Sequence, residues 1–265
     1  MRVIGIGHFL FAVGLMGLGV LSLGSGDFPY AWQPVPDGIP WREGLARISG
    51  LLLLSGGVGM LVRRTAAPAA LAMAAYLLAW VLFLQGARVV HAPADVGAWL
   101  GVAESLVLTC GGWLLFAALT SRESRQRLPI LSGTSGVRTA RFLWGASCLV
   151  LGLSHYVYTQ ATAGMIPAWI PAHVFFAYLT GTAHFAAGAG VLLGIVPRLA
   201  ATLEAVMVSL FVLVIHVPGV VSAPSSRLQW TMVCVASALA GACWATAGSF
   251  TLARRTDAET RGGEI

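Results

Sequence analysis

The chain contains no lysine. All sixteen basic residues are arginine, set against ten acids, and only 10% of its 265 residues are charged, where a soluble domain carries about 25%. So few charges exclude an ordinary soluble fold. Cysteine is equally sparse. Cys110, Cys148, Cys234 and Cys243 form no C-x-x-C, which argues against a dithiol redox motif and for buried structural thiols. No H-x-x-x-H or H-x-x-E pair occurs, so spacing supplies no helical metal motif. No basic patch interleaved with aromatics accompanies the net charge of +6, and nucleic acid is excluded as a partner.

What is present is apolar. Hydrophobic residues make up 57% of the chain and the mean hydropathy is +0.82. The apolar runs are continuous, which excludes the alternating pattern of an outer-membrane barrel. They are long enough for helices crossing about 30 Å of hydrocarbon. Eight spans are expected, near 3–23, 44–62, 66–86, 98–119, 140–158, 173–194, 199–218 and 228–251. The run after Arg2 is read as the first of these and not as a cleaved leader, because it is long and no A-x-A site follows.

The chain also repeats itself. Positions from about 36 to 119 recur 131 residues later: Pro36 and Pro40 return as Pro167 and Pro171, Gly50, Gly57 and Gly59 as Gly181, Gly188 and Gly190, and Pro93, Trp99 and Trp113 as Pro224, Trp230 and Trp244. The first spans match at an offset of 138 (Gly7 with Gly145, Gly14 with Gly152), so the first outer loop, about 24–43, is seven residues longer than its counterpart. Its Trp32 and Trp41 suit a re-entrant or interfacial segment. A repeat of this length is a whole structural unit. The expected fold is all-α, with eight transmembrane helices in two parallel four-helix units. The first unit is 1–119, an Arg-rich linker follows at 120–139, the second unit is 140–253, and 254–265 forms a polar tail. The arginines at 2, 63, 64, 122, 125, 127, 138, 198, 254 and 255 fall on one side. That side is expected to be cytoplasmic, with both termini inside a bacterial inner membrane. The shared glycines are read as helix-packing positions.

Shared positions mark scaffold, so the unshared polar residues are the candidates for function. Each polar group within a span needs a reason, since a central charge costs about 2.5–3.5 kcal/mol on insertion scales. The second unit holds His155, His173, His184 and His216. The equivalents of the last three are Arg42, Leu53 and Gln85. Imidazoles from neighbouring helices could bind a metal, ligate haem, or hydrogen-bond a quinone carbonyl and relay its proton. Glu104 and Glu204 are the intramembrane acids, with Val235 and Met73 as equivalents. They are expected at different depths, and Glu104 is expected to meet Arg47 or Arg88. Arg42, Arg47, Arg88 and His91 form an outward cationic cluster suited to an oxyanion or lipid headgroups.

The PDGIP and PAWIP segments at 36–40 and 167–171, with ARISGLLLLSGGVGML at 46–61 and AYLTGTAHFAAGAGVLL at 177–193, resemble the DoxX-like family of four-helix membrane proteins. Here the pattern occurs as a tandem covering nearly the whole chain. The resemblance implies a quinone-linked redox role or an accessory role beside a redox partner subunit. It supplies no catalytic motif to place on these residues. The expected function is therefore a quinone or other hydrophobic cofactor bound near the outer face of the second unit. The alternatives are a non-catalytic scaffold subunit and a small-molecule transporter.

Overall fold

The computed structural model describes residues 3–29 and 32–262; Arg2 and the last three residues lie outside them. Among the described residues the chain is helical, with no strand. Eight long helices follow one another: α1 (Val3–Ser25), α2 (Arg42–Leu61), α3 (Ala66–His91), α4 (Val96–Leu119), α5 (Thr134–Val157), α6 (His173–Leu192), α7 (Pro197–Ser222) and α8 (Arg227–Gly262). Seven are long and apolar enough to cross a membrane. The eighth, α5, has the length but not the composition, since Arg138, Arg141, Ser147, Ser154 and His155 interrupt it. The 120–139 segment, expected as a loop, holds two short helices, Arg122–Arg127 and Pro129–Ser132, and the first turns of α5. The backbone of α8 continues to Gly262, well into the segment expected as a polar tail.

Positions 131 apart share backbone detail. Trp41 and Ala172, just before α2 and α6, both adopt left-handed backbone, with φ of 60° and 56°. Both α3 and α7 loosen into a π-helical turn at matching places, Trp80–Gln85 and Val212–His216. The indole N–H of Trp99 donates to the Pro93 carbonyl at 3.0 Å, and that of Trp230 donates to Pro224 at 2.9 Å.

The helices form a ring in chain order, closed by α8 packing along α1. Within each half the first helix barely touches the fourth. Instead α1 lies along α8, and α5 lies along α4. The two fourth helices, α4 and α8, also pack on each other through the middle, and they are the most buried spans at 67% each. Two enclosures result. One is bounded by α1–α3 and the central pair, the other by α5–α7 and the same pair. Glycines set the close approaches. A Cβ on Gly14 would lie 2.6 Å from the α8 backbone at Ala238, and one on Gly188 would lie 2.6 Å from the Gly145 carbonyl of α5. Such contacts are available only to residues without side chains.

The 26–41 loop lies at one end of the ring, its upper end. There Asp27 joins the two halves, pairing with Arg42 at 2.8 Å and with Arg227 at 3.1 Å. Burial opposes the charge on Asp27, but the Arg227 hydrogen bond, the Phe28 N–H and Arg42 outweigh it and hold the carboxyl below its usual 3.8. The Asp95 carboxylate caps α4 through the Gly97 and Ala98 N–H groups and accepts from the Tyr158 hydroxyl at 3.0 Å. Those donors lower the Asp95 pKa, and the same bond raises that of Tyr158.

Candidate functional site

The first enclosure is filled from above. Part of the long 26–41 loop turns inward, so that Trp32 and Gln33 are 6% and 5% exposed. Trp41 of the same loop is 88% exposed. The plug is bonded on every side. Ser49 Oγ donates to Gln33 Oε1 at 3.0 Å, and Tyr76 OH donates to Ser49 Oγ at 2.7 Å. Gln85 Nε2 reaches the Trp32 carbonyl at 2.9 Å, and the Trp32 indole donates to Glu104 Oε2 at 3.2 Å. Trp80 meets Trp32 and Tyr76 edge to face, with centroids 5.3 and 5.1 Å apart, a favoured aromatic geometry.

The second enclosure contains a cavity of about 740 Å³, within the roughly 300–1,000 Å³ of small-molecule sites. The plug-holding positions of the first half reappear here as its wall: Ser49 as Thr180, Tyr76 as Met207, Trp80 as Phe211 and Gln85 as His216. The shorter loop does not enter. Met165, Ile166, Trp169 and Ile170 line the mouth instead. Most of the remaining wall is Leu, Ile, Val, Met and Phe from α4, α5, α7 and α8. On each helix the lowest lining residue lies well below the upper end. His184 is eleven residues into α6, about 16 Å at 1.5 Å per residue.

Polar groups gather at the floor. His184 Nδ1 and Glu204 Oε1 are 2.6 Å apart, with side chains 5% and 0% exposed. Glu204 Oε2 is buried with no hydrogen-bond partner among the described residues. The His155 ring stands edge to face with that of His184, centroids 4.9 Å apart. Its Nδ1 is 2.9 Å from Thr180 Oγ1. Phe211 packs on both imidazoles. His216, on the π-helical turn of α7, joins the lining from the side. Single π-helical turns recur at functional sites because they re-aim one residue.

The structure thus brings His155, His184 and His216 to one cavity and leaves His173 out of its lining, at the upper end of α6. Glu104 lines the opposite wall. Its bonded partner is Trp32, not Arg47 or Arg88. The three arginines do not share one anion site. Arg42 is held by Asp27, Asp37 and the carbonyls of Val35 and Pro36. Arg47 pairs with Glu43 at 2.6 Å on an exposed face, and Arg88 donates to Gln85 at 3.3 Å. Sequence reasoning singled out Glu204 as an intramembrane acid but gave it no partner. One signal was available: its equivalent, Met73, and that of His184, Leu53, are both apolar. The two polar residues are thus present together in the second half and absent together from the first.

The four cysteines are free, and Cys110, Cys148 and Cys243 are buried. Among the described residues no group of three or more His, Cys, Asp or Glu is arranged to hold a metal ion. No family model matches the chain, and no curated protein or solved structure does so either.

Proposed function

We propose that this chain is an eight-span protein of the bacterial inner membrane, with both termini cytoplasmic and two parallel four-helix units of DoxX-like type. In this proposal the second unit binds a neutral, hydrophobic, ring-headed molecule of the quinone class. The ligand enters from the upper, extracytoplasmic end and sets its polar head on His184 and His155, with His216 beside it. The eighth span is α5, where Arg141 turns to a neighbouring helix: it donates to Ser249 of α8 at 2.9 Å and lies 4.0 Å from the Phe250 ring.

The observation that carries this proposal is the contrast between equivalent positions. The positions that seal a protein plug in the first half line an apolar cavity in the second, and that cavity ends on a buried His–Glu pair. Convergent polar groups at the floor of an apolar cavity favour small-molecule binding over packing against another subunit. The wall contributes two carboxyl residues and no arginine, which disfavours an anionic ligand.

The test is a titration of the detergent-purified protein with 1,4-naphthoquinone. Binding is expected in the native chain. It should be lost when His184→Leu, Glu204→Met and His216→Gln install the first-half residues together. Unchanged affinity in that variant contradicts the proposal.

A further inference from the structure

The hydrogens at the cavity floor can be placed from the bonds around them. Thr180 Oγ1 sits at hydrogen-bond distance from three groups, the carbonyls of Phe176 and Ala177 and the His155 ring. Its hydroxyl donates to the Phe176 carbonyl at 2.8 Å, so Oγ1 has only lone pairs left for His155. The hydrogen between them therefore belongs to His155 Nδ1, and in the neutral ring Nε2 is a bare acceptor. His184 is fixed in the opposite sense. Its Nδ1 faces Glu204 Oε1. A net charge at this depth is costly, so the pair is either two neutral groups or an internal ion pair. In the first case Glu204 donates to Nδ1, and in the second Nδ1 donates to Glu204. Both states leave a hydrogen on His184 Nε2; a neutral pair with Nδ1–H donating would instead bury the Glu204 proton on Oε2, which has no acceptor among the described residues and so is disfavoured. His184 Nε2 makes no hydrogen bond within the described residues, and the ring lines the cavity.

The floor thus offers one donor and one acceptor on two rings 4.9 Å apart. The hydroxyls near the floor do not compete for them. The Ser154 hydroxyl donates to the Leu151 carbonyl at 2.7 Å, and that of Thr180 is engaged as described. Resting on the ligand-binding proposal above, we infer that the preferred ligand head carries a carbonyl oxygen for His184 and, adjacent to it, an N–H or O–H for His155. An aminoquinone or a lactam fused to an apolar ring has this edge; a plain dione presents acceptors only. Glu204 and Thr180 are positioning residues, since each acts through an imidazole.

Three neutral ligands of one skeleton test this: 1,4-naphthoquinone, its 2-amino derivative and its 2-dimethylamino derivative. Each is titrated into the detergent-purified full chain by calorimetry. The 2-amino compound is expected to bind about tenfold tighter than the other two, the effect of one additional hydrogen bond. His155→Phe should remove that advantage, so that the 2-amino compound binds no tighter than 1,4-naphthoquinone. Thr180→Val frees the His155 ring to exchange tautomers and should reduce the advantage without abolishing binding. Equal affinities for the three ligands, or an advantage that persists in His155→Phe, overturn the inference and leave the ligand-binding proposal standing. If none of the three binds, the proposal falls and the inference falls with it.

Discussion

The two halves of this chain use one scaffold for opposite ends. In the first half, Ser49, Tyr76, Trp80 and Gln85 grip an inward-turned loop, and the enclosure is solid protein. In the second, Thr180, Met207, Phe211 and His216 stand at the same places around a cavity. A loop seven residues shorter cannot fill that space, and buried His184 and Glu204 replace Leu53 and Met73 on the floor. The two copies thus differ in their interiors, one filled by its own loop and the other open with a buried His–Glu pair. Because the central helices α4 and α8 serve both enclosures, the halves are not independent. Glu104 takes a hydrogen bond from the plug of one half and lines the cavity of the other.

The sharpest break in that comparison is half a graft. His184→Leu or Glu204→Met alone strands one member of a buried pair and should destabilise the protein by about 3–5 kcal/mol. The double variant restores the apolar pair that the first half carries and should be neutral or stabilising by about 1–4 kcal/mol. Thermal unfolding in detergent reads both. Additive losses in the double variant would contradict the pairing. Of similar size is the plug itself. Trp32→Ala removes a buried indole and should cost about 3–5 kcal/mol. It should also create a first-half cavity that takes up a small apolar probe, which ligand-induced thermal stabilisation detects. A smaller effect is expected for Phe211→Trp, which installs the Trp80 equivalent. It should leave the melting temperature within a few degrees of the native value and weaken naphthoquinone binding about tenfold by narrowing the cavity.

The smallest effect concerns the clasp between the halves. The Asp27 carboxyl has a folded-state pKa below its ordinary 3.8, so its contribution to stability is present above that value and is lost as pH falls through the depressed one. Asp27→Asn should cost no more than about 1 kcal/mol at neutral pH, the range for partly exposed pairs. It should also flatten the fall in stability below about pH 4. An unchanged acid limb in melting curves taken from pH 3 to 6 would count against the clasp.

The sequence predicted much of this layout through its internal echo. Helix positions followed from apolar runs, and the shared glycines do lie at close helix contacts, Gly50 against Gly19 and Gly188 against Gly145. The plug was not legible. Trp32 and Trp41 look alike as loop aromatics, and only the bonds from Gln33, Ser49, Tyr76 and Gln85 allow one of them to be buried while the other stays exposed. The crossing of halves, with α1 on α8, was also hidden, because apolar faces carry no address for their partner. The His184–Glu204 pair lies twenty residues apart across the α6–α7 turn, a separation that no spacing motif covers. Only the joint departure of both residues from the first-half pattern marked it. His173 shares a helix face with His184 by spacing, yet it sits at the helix end, above Phe176, where the wall of the cavity begins.

The central claim is that the second half holds an open, ligand-accepting interior where the first half is closed. Photolabelling with an azido-naphthoquinone, followed by peptide mapping of the full chain in bilayers, tests it most directly. The account predicts labels on α6 between Phe176 and His184 and on α7 between Met207 and His216, suppressed by excess 1,4-naphthoquinone. Equal labelling of the first-half equivalents, or label that excess ligand does not displace, would contradict it.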